Sequence, residues 1–569
     1  MLQKRWTLKE TNHDFAVSAL ADSLNIPEVL SGLLVQRGVN NFYDAKKFFR
    51  PSLDFLYDPF LMNGMEEATS RVIKAITENE LICVYGDYDV DGTCATALLY
   101  MFLKELDAKI EFYIPQRLIE GYGISKTGIE NIHDKGASLL ISVDCGITAI
   151  DETSLAKSYG IDVIICDHHH PKEELPNAFA ILDPIKPGCN YPFKFLSGAG
   201  VAFKLAQGIA ERIGKRELPF KYLDLVSLAA AADIVSLTDE NRILVREGLN
   251  LINSSPRAGI KALIEKCSIN PGSLSSGQVV FTLAPRINAV GRLGDAKRAV
   301  DLLTTDNLDE AFEFASVLEN ENYERRKIDV DTFDSALELI ASSVDLENEI
   351  PIILHQEDWH PGVIGIVASR IVEKYYRPTI MLTTVDGIAK GSARSINNFN
   401  IYEALQKCEE LLIHFGGHQA AAGLAVELEN LDEFKYRFNQ IVKDSINDKD
   451  LSPELMIDSK IKFSEITPKF IRILEQFSPF GPGNMRPVFL AEGVSIVSNP
   501  RIVGANHLIV SLKQNSINKV FDSVGFNMGE YLDSIKNPGV NFDIVFSIDK
   551  LIRDGKEFPQ LKLKDLKIN

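Results

Sequence analysis

A chain of 569 residues with a formal net charge of −19 is too long for one hydrophobic core and predicts roughly three or four domains. Its content of 45% hydrophobic and 24% charged residues suits a folded globular protein. No apolar run approaches the roughly 18 residues of a membrane span, and the opening MLQKRWTLKE lacks the apolar centre of a secretion signal, so no membrane partner is expected.

Seven cysteines lie scattered with no C-x-x-C pair, which predicts reduced thiols and a cytoplasmic protein. The negative charge argues against non-specific coating of a polyanion, but it is unevenly spread. Residues 455–569 hold 15 Lys+Arg against 12 Asp+Glu, and the acidic excess lies in the rest of the chain.

Residues 1–65 read as a small helical segment, with helices over 16–24 and 29–35 parted by Pro27, expected simply to pack on the domain that follows. Over 66–305 the pattern becomes βαβ. Helix 66–78, strand 81–85, helix 94–106, strand 110–114, helix 126–135 and strand 139–143 are followed by helix 151–159 and strands 161–166 and 179–182. Short apolar strands alternating with helices predict an α/β fold, a parallel sheet with helices on both faces. Sites in such sheets lie beyond the carboxyl ends of the strands.

Those ends carry the chemistry. The strand at 81–85 runs into GDYDVDG, with Asp87, Asp89 and Asp91 at alternate positions. Burying three such carboxylates unpaired costs several kcal/mol each, and a hard divalent cation removes that cost. A calcium loop has the same opening, but its glutamate at position 12 is Leu98 here. Strand 139–143 delivers Asp144 in SVDCGI, strand 161–166 delivers Asp167, His168 and His169 in DHHHP, and a helix over 223–235 delivers Asp233 in AAADIV. Carboxylates mixed with imidazoles suit Mn²⁺, and Mg²⁺ less well.

Arg117, in YIPQRLIEGYGIS, is expected on a loop near this site, or as a surface partner of Glu120. In LAPRINAVGRLGDA, Arg286, Asn288 and Arg292 offer planar donors for phosphate oxygens. Residues 306–345 predict one long connecting helix, or two. A second α/β domain is expected over 346–452. There GSAR presents Gly391, Ser392 and Arg394 as a phosphate cup, and GGHQAAAG presents Gly416, Gly417 and His418 as a second anion site or a tight turn. Residues 453–569 predict five short strands and a small closed barrel of the OB type. Phe489, His507, Lys513, Lys519, Phe521 and Lys550 are candidates for stacking on and gripping a single strand.

GDYDVDG, VDCG, DHH and the later aspartate resemble the motifs of the DHH phosphoesterase superfamily, and GGHQAAAGL resembles the DHHA1 signature. The strings around Arg117 and over 283–296 resemble the RecJ branch, and the likeness runs over roughly residues 30–569. It implies two α/β lobes, a DHH parallel-sheet domain and a DHHA1 domain, joined by a long helix and followed by an OB-like β-barrel. It implies two divalent metal ions, Mn²⁺ or Mg²⁺, held by Asp89, Asp91, Asp144, His168 and Asp233. His169 becomes a further ligand or the proton donor to the leaving oxygen, Asp87 and Asp167 hold the ligands in place, and Arg117 binds substrate phosphate. The implied activity is a single-stranded-DNA-specific 5′→3′ exonuclease releasing 5′-mononucleotides, with a helicase and a single-strand-binding protein as partners. Tyr85 departs from the pattern, because several relatives place a ligand histidine there. Two other readings belong to the same superfamily: a phosphodiesterase for short oligonucleotides or cyclic dinucleotides, and a non-catalytic replisome scaffold. The barrel speaks against the first and the full acidic set against the second.

Overall fold

The computed structural model describes residues 3–10, 14–514, 519–537, 539–553 and 556–568. After an N-terminal strand β1 (Arg5–Leu8), five parallel strands build the first sheet: β2 (Ile82–Tyr85), β3 (Ile110–Tyr113), β4 (Leu139–Val143), β5 (Asp162–Cys166) and β6 (Ala180–Leu182), in the order β3-β2-β4-β5-β6. The chain leaves β2 in one direction to form β3 and returns past it to form β4. The crevice between the carboxyl ends of β2 and β4 is therefore the point where strand order reverses.

Because side chains alternate along a strand, each sheet face has its own core. Ile82, Val84, Ile141, Val143 and Ile164 pack with helices Val90–Lys104, Gly198–Arg212 and Leu223–Ala232. Cys83, Tyr85, Leu140 and Ile165 pack with Ile129, Ile132 and Ala156 from the two helices on the opposite face. The helix expected from residue 94 begins at Val90, so Asp91 lies within its first turn. The helix expected to reach 235 stops at Ala232, and Ile234 follows in the left-handed region with φ 61.

Residues Leu308–Ser343 form one continuous helix of 36 residues, about 54 Å long at 1.5 Å per residue. Ala311, Ala315 and Leu318 pack on the first core, and Ala336 and Ile340 on the second lobe. That lobe carries a sheet in the order β10-β11-β9-β8-β7, made from β7 (Ile352–His355), β8 (Thr379–Val385), β9 (Ile388–Arg394), β10 (Leu412–Gly417) and β11 (Ala421–Glu427). Both stretches read as phosphate cups are strands here. GSAR closes β9, and GGHQAAAG is the β10–β11 hairpin.

The last part of the chain contains β12 (Glu454–Ile457), β13 (Ser459–Lys460), β14 (Phe489–Ile496), β15 (Arg501–Val503), β16 (His507–Gln514), β17 (Val520–Gly525), β18 (Phe542–Arg553) and β19 (Lys556–Ile568). Five of them close a ring, β14-β18-β19-β17-β16, because β16 also pairs with β14. Two additional short strands, β13 and β15, flank it. Phe489 and Phe521 fill the barrel core and are not available to stack on bases. The exposed ring at the end of β17 is Phe526, edge-on to His507 at 5.2 Å. Lys519 donates to the Ile466 carbonyl and Lys550 pairs with Glu475 and Glu557, so neither ammonium is free.

The N-terminal helices do not pack only on the domain that follows them. Leu20, Leu30, Leu33, Leu34 and Ala45 share one core with Phe470, Phe477 and Phe489 from the far end of the chain, and β1 pairs in parallel with β12. The two chain ends fold as one body.

Inside the first lobe Lys204 and Glu240 are fully buried and 2.7 Å apart. Glu240 also accepts from the Tyr57 N–H and the Tyr191 hydroxyl, at 2.8 and 2.6 Å. Removing one charge strands the other in a low dielectric. Lys204→Met is expected to lower unfolding free energy by about 3 kcal/mol or more in urea titration, with Lys204→Met/Glu240→Gln less destabilised than the single variant.

Candidate metal centre

Each acidic group is positioned by a different backbone device. Asp89 caps the helix Val90–Lys104, its Oδ1 accepting from Gly92 N–H at 3.0 Å. Asp91 faces the start of helix Gly198–Arg212, and both of its oxygens accept backbone bonds, from Gly198 and Ala199, each at 2.7 Å. Asp144 follows β4 in the left-handed region at φ 61. The helix start comes so close that a Cβ at Gly198 would lie 2.5 Å from the Asp144 side chain, so this glycine is required, and no motif pointed to it. Asp167 accepts from Ile147 N–H at 2.9 Å, His168 N–H at 2.7 Å and His169 Nδ1 at 2.7 Å. His168 bonds the Leu196 backbone carbonyl and aims its Nε2 at the centre, 3.1 Å from Asp144 Oδ1, 3.7 Å from Asp233 Oδ2 and 3.8 Å from Asp91 Oδ2.

Three overlapping groups place their ligand atoms within 4.8 Å of one another: Asp87, Asp89 and Asp144; Asp91, His168 and Asp233; Asp144, His168 and His169. The overlap at Asp144 and His168 suits two neighbouring cations. Asp87, expected only to support the ligands, is in one of these groups. It is fully buried, and its Oδ1 has no hydrogen-bond partner. Asp144 Oδ1 and His168 Nε2 are also buried without partners. Their separation of 3.1 Å brings them into contact, but their orientation makes no hydrogen bond. Buried acceptors turned toward a common point are what a cation-binding site requires. The residues fit two divalent ions.

The electrostatics agree. Burial, then the charges of neighbouring aspartates, pushes Asp87 and Asp144 well above the ordinary carboxylate range. Asp91 rises to about 7 and Asp233 to about 8, for the same two reasons in the same order. Burial, then the positive charge of His169, lowers His168 to about 4, so its imidazole is neutral and able to ligate. Asp167 behaves oppositely. Burial pushes it up, but the His169 hydrogen bond and charge outweigh this and hold it below its usual range. His169, in turn, is pushed down by burial and up to about 9 by its Asp167 bond and the surrounding carboxylates.

Beside the acidic cluster lies a cavity of about 230 Å³ lined by Asp87, Tyr88, Asp89, Arg117, Tyr122, Asn288 and Arg292. Arg117 begins the short helix Arg117–Glu120 and lies over the Tyr88 ring at 4.9 Å. Its alternative partner Glu120 is engaged by Tyr113, Gln116 and Ser125. Arg292 reaches across to the Gly362 carbonyl of the second lobe at 3.1 Å. Burial and the charges of Arg117, Arg325 and Arg394 lower it to about 10. Arg394 is lowered by burial and by Arg117. Three guanidinium groups from both lobes thus press on one another beside a carboxylate cluster, a cost that a phosphate would relieve.

Of the other expected anion ligands, Asn288 lines this cavity, while several of the rest are engaged by the protein's own groups. Arg286 spends its donors on Glu319 of the long helix and on the Thr282 carbonyl, so it joins two elements and does not line the cavity. Asn288 uses its Oδ1 to accept from Val90 N–H at 3.1 Å, which steadies the Asp89–Asp91 turn. Its neighbour Gly291 lets the helix Ala284–Leu293 lie directly on the Tyr88 backbone. Gly391 faces Leu382 and Leu424, so packing explains it. Ser392 accepts from Arg394 at 2.9 Å and both lie against Gly365. Gly417, at φ 145 and against Ala421, serves the hairpin turn that His418 opens. Gly416 borders open space. His418 meets His170 across the lobes at 6.1 Å. Tyr85 points away from the cluster; its hydroxyl accepts from Ser125 N–H at 3.0 Å and donates to the Gly123 carbonyl, bracing the loop of Tyr122. Tyr122 and Tyr88 carried no sequence signal as site residues, because aromatic positions are usually core.

A parallel sheet whose carboxyl ends gather aspartates and a neutral imidazole, beside arginines drawn from both lobes, defines a metal-dependent phosphoesterase of the DHH–DHHA1 architecture. Residues 81–230 match the DHH family, N-terminal domain; residues 340–444 match the DHHA1 domain; residues 457–565 match the RecJ OB domain. The chain is 39% identical to the single-stranded-DNA-specific exonuclease RecJ of Bacillus subtilis, over 99% of this chain and 71% of that protein. It is 32% identical to the RecJ of Dickeya dadantii, over 97% of each. The crystal structure of RecJ in complex with Mn²⁺ from Thermus thermophilus superposes with a TM-score of 0.84 at 28% identity, covering 99% of this chain and 79% of that one. The chain belongs to the RecJ family.

In the metal-free protein, Asp91, Asp233 and His169 hold protons that their unfolded counterparts release at lower pH. Groups with raised values stabilise the fold at low pH, and that contribution is lost as pH climbs through the folded value. The lowered His168 acts only below its ordinary 6.5 and does not oppose this. Melting temperature in EDTA is expected to fall as pH rises from 6.5 to 9. Saturating Mn²⁺ should shrink the fall, because ion binding displaces the protons of the ligand carboxylates Asp91 and Asp233.

Proposed function

We propose that this chain is a metal-dependent exonuclease that degrades single-stranded DNA from its 5′ end and releases 5′-mononucleotides, acting in the cytoplasm in DNA repair and recombination. The observation that carries this is the meeting, around one cavity, of an acidic cluster fit for two cations with Arg117 and Arg292, the latter close enough to feel the charge of Arg394 on the second lobe. Relatives that match nearly the full chain are named single-stranded-DNA-specific exonucleases, which supports the substrate.

Divalent cations at Asp87, Asp89, Asp91, Asp144, His168 and Asp233 would supply Lewis-acid polarisation of the scissile phosphate and a more acidic water. The chain's own groups do the rest. Arg117 and Arg292 orient the non-bridging phosphate oxygens and offset charge that develops on them. Arg394, on the second lobe, receives the 5′-terminal phosphate and sets how far the strand enters. His169 is held through Nδ1 by Asp167, and its Nε2, which meets the Tyr122 hydroxyl at 3.3 Å, is the atom that delivers a proton to the departing 3′ oxygen. The Asp167 hydrogen bond and charge favour its protonated form. The barrel binds the strand further along, with the exposed Phe526 and His507 as the base-stacking pair. A helicase and a single-strand-binding protein, which generate and present single strands, are the partners this reading implies.

The full donor set speaks against a non-catalytic scaffold, and the closed barrel speaks against a dinucleotide phosphodiesterase. Asp144→Ala, which removes a group common to both ion positions, should reduce mononucleotide release by at least about a thousandfold with Mn²⁺ present. Near-normal release would end the proposal. Arg394→Ala should slow degradation of 5′-phosphorylated strands by about tenfold or more relative to unphosphorylated ones. Equal losses on both would remove Arg394 from the 5′ pocket.

A further inference from the structure

Asp233 is held differently from the other acidic groups. Asp87, Asp89, Asp91, Asp144 and Asp167 sit on or beside the strand ends of their own sheet, whereas Asp233 caps the free end of helix Leu223–Ala232. Its carboxylate accepts no hydrogen bond from the described residues; it stands 3.7 Å from His168 Nε2 and within 4.8 Å of an Asp91 oxygen. The place of this carboxylate is therefore set by the backbone on either side. On the helix side the Asp233 N–H bonds Ala229. On the other side the chain turns through Ile234 at φ 61, a conformation that β-branched residues avoid and that persists only when the surroundings enforce it.

Those surroundings come from the far end of the sequence. Leu237 N–H donates to the Pro482 carbonyl at 2.7 Å. A Cβ at Gly481 would fall 2.5 Å from Leu237 Cδ1, and one at Gly483 would fall 2.5 Å from Ser236 Oγ. The turn Gly481–Asn484 is closed by reciprocal backbone bonds between its ends. It is also fixed from behind. Asn484 Nδ2 donates to the carbonyls of Phe477 and Pro479, at 2.7 and 2.8 Å, and its Oδ1 accepts from Arg37. Arg242 is buried with no carboxylate partner and places its guanidinium on the carbonyls of Phe48, Gln476 and Phe477. This turn leads directly into β14 of the barrel.

We propose that the turn Gly481–Asn484 is a positioning element for Asp233, so that the strand-binding barrel fixes one of the metal-ligand carboxylates of the catalytic lobe. The proposal rests on the metal-centre reading above. It also means that the barrel does more than capture long strands: removing it would release Ser236–Leu237 and with them Asp233.

The test is Mn²⁺ binding to the full chain, by titration calorimetry and by the EPR signal of free Mn²⁺. Gly481→Ala, at a position whose backbone tolerates alanine, is expected to weaken Mn²⁺ affinity by about tenfold or more, the usual effect of disturbing a support of metal ligands. KM for single-stranded DNA should hardly change, and kcat should recover at high Mn²⁺. Leu237→Ala/Gly481→Ala, which removes the overlapping atoms, should regain most of the lost affinity. Unchanged affinity in Gly481→Ala, or no recovery in the double variant, would overturn the proposal. A wild-type chain that binds no Mn²⁺ would instead overturn the metal-centre reading itself. Should Gly481→Ala not fold, hydrogen exchange on the wild type decides, because coupling is reciprocal: Mn²⁺ is expected to slow exchange of the amides over 234–238 and over 481–484 together. Protection confined to 234–238, or absent from both, would count against the coupling.

Discussion

Several carboxylates gathered with their oxygens within 4.8 Å of one another, largely out of water, is the constraint around which this molecule is arranged. Such a cluster is unfavourable alone, since each buried charge raises the cost of the next. The fold lowers that cost unevenly. Asp91 receives two backbone N–H groups from a helix start, and Asp167 receives two backbone bonds, a third from Ile147 and the His169 imidazole. Asp87 and Asp144 keep unpartnered oxygens. What the protein leaves unsatisfied is what a cation satisfies, and the sheet, the glycine at 198 and the left-handed turn at 144 all keep those oxygens facing one another.

The opposite charge is supplied from elsewhere. Arg117 belongs to the first lobe, Arg394 to the second, and Arg292 sits on the helix that touches both. Positive and negative groups do not neutralise each other by pairing; they stand around a space. The long helix Leu308–Ser343 sets that spacing, since one of its ends is packed in each lobe and Arg286 locks its side to Ala284–Leu293 through Glu319. Arg286 therefore shapes the cavity without lining it.

The third body is not an appendage. Helices from the first fifty residues and strands from the last hundred share a core, and Arg242 of the catalytic lobe holds carbonyl groups from both. The barrel and the catalytic lobe are connected through packed backbone and through the side chains of Arg242 and Asn484.

The sequence by itself determined the first lobe's layered α/β architecture, the long helix, the barrel class and nearly the whole acidic set. The reason is local: strand and helix periodicities are short-range, and each aspartate sits within a few residues of the strand or helix that presents it. Only the tertiary structure decided which polar groups are free. Arg286 looks like a phosphate ligand in LAPRINAVGRLGDA, but its partner Glu319 lies 33 residues away. Phe489 and Phe521 became core rather than stacking surface for the same reason, as did the pairing of the N-terminal helices with the barrel. An amphipathic face records that it must be covered, not by what, and that choice is made only when distant segments of the chain meet.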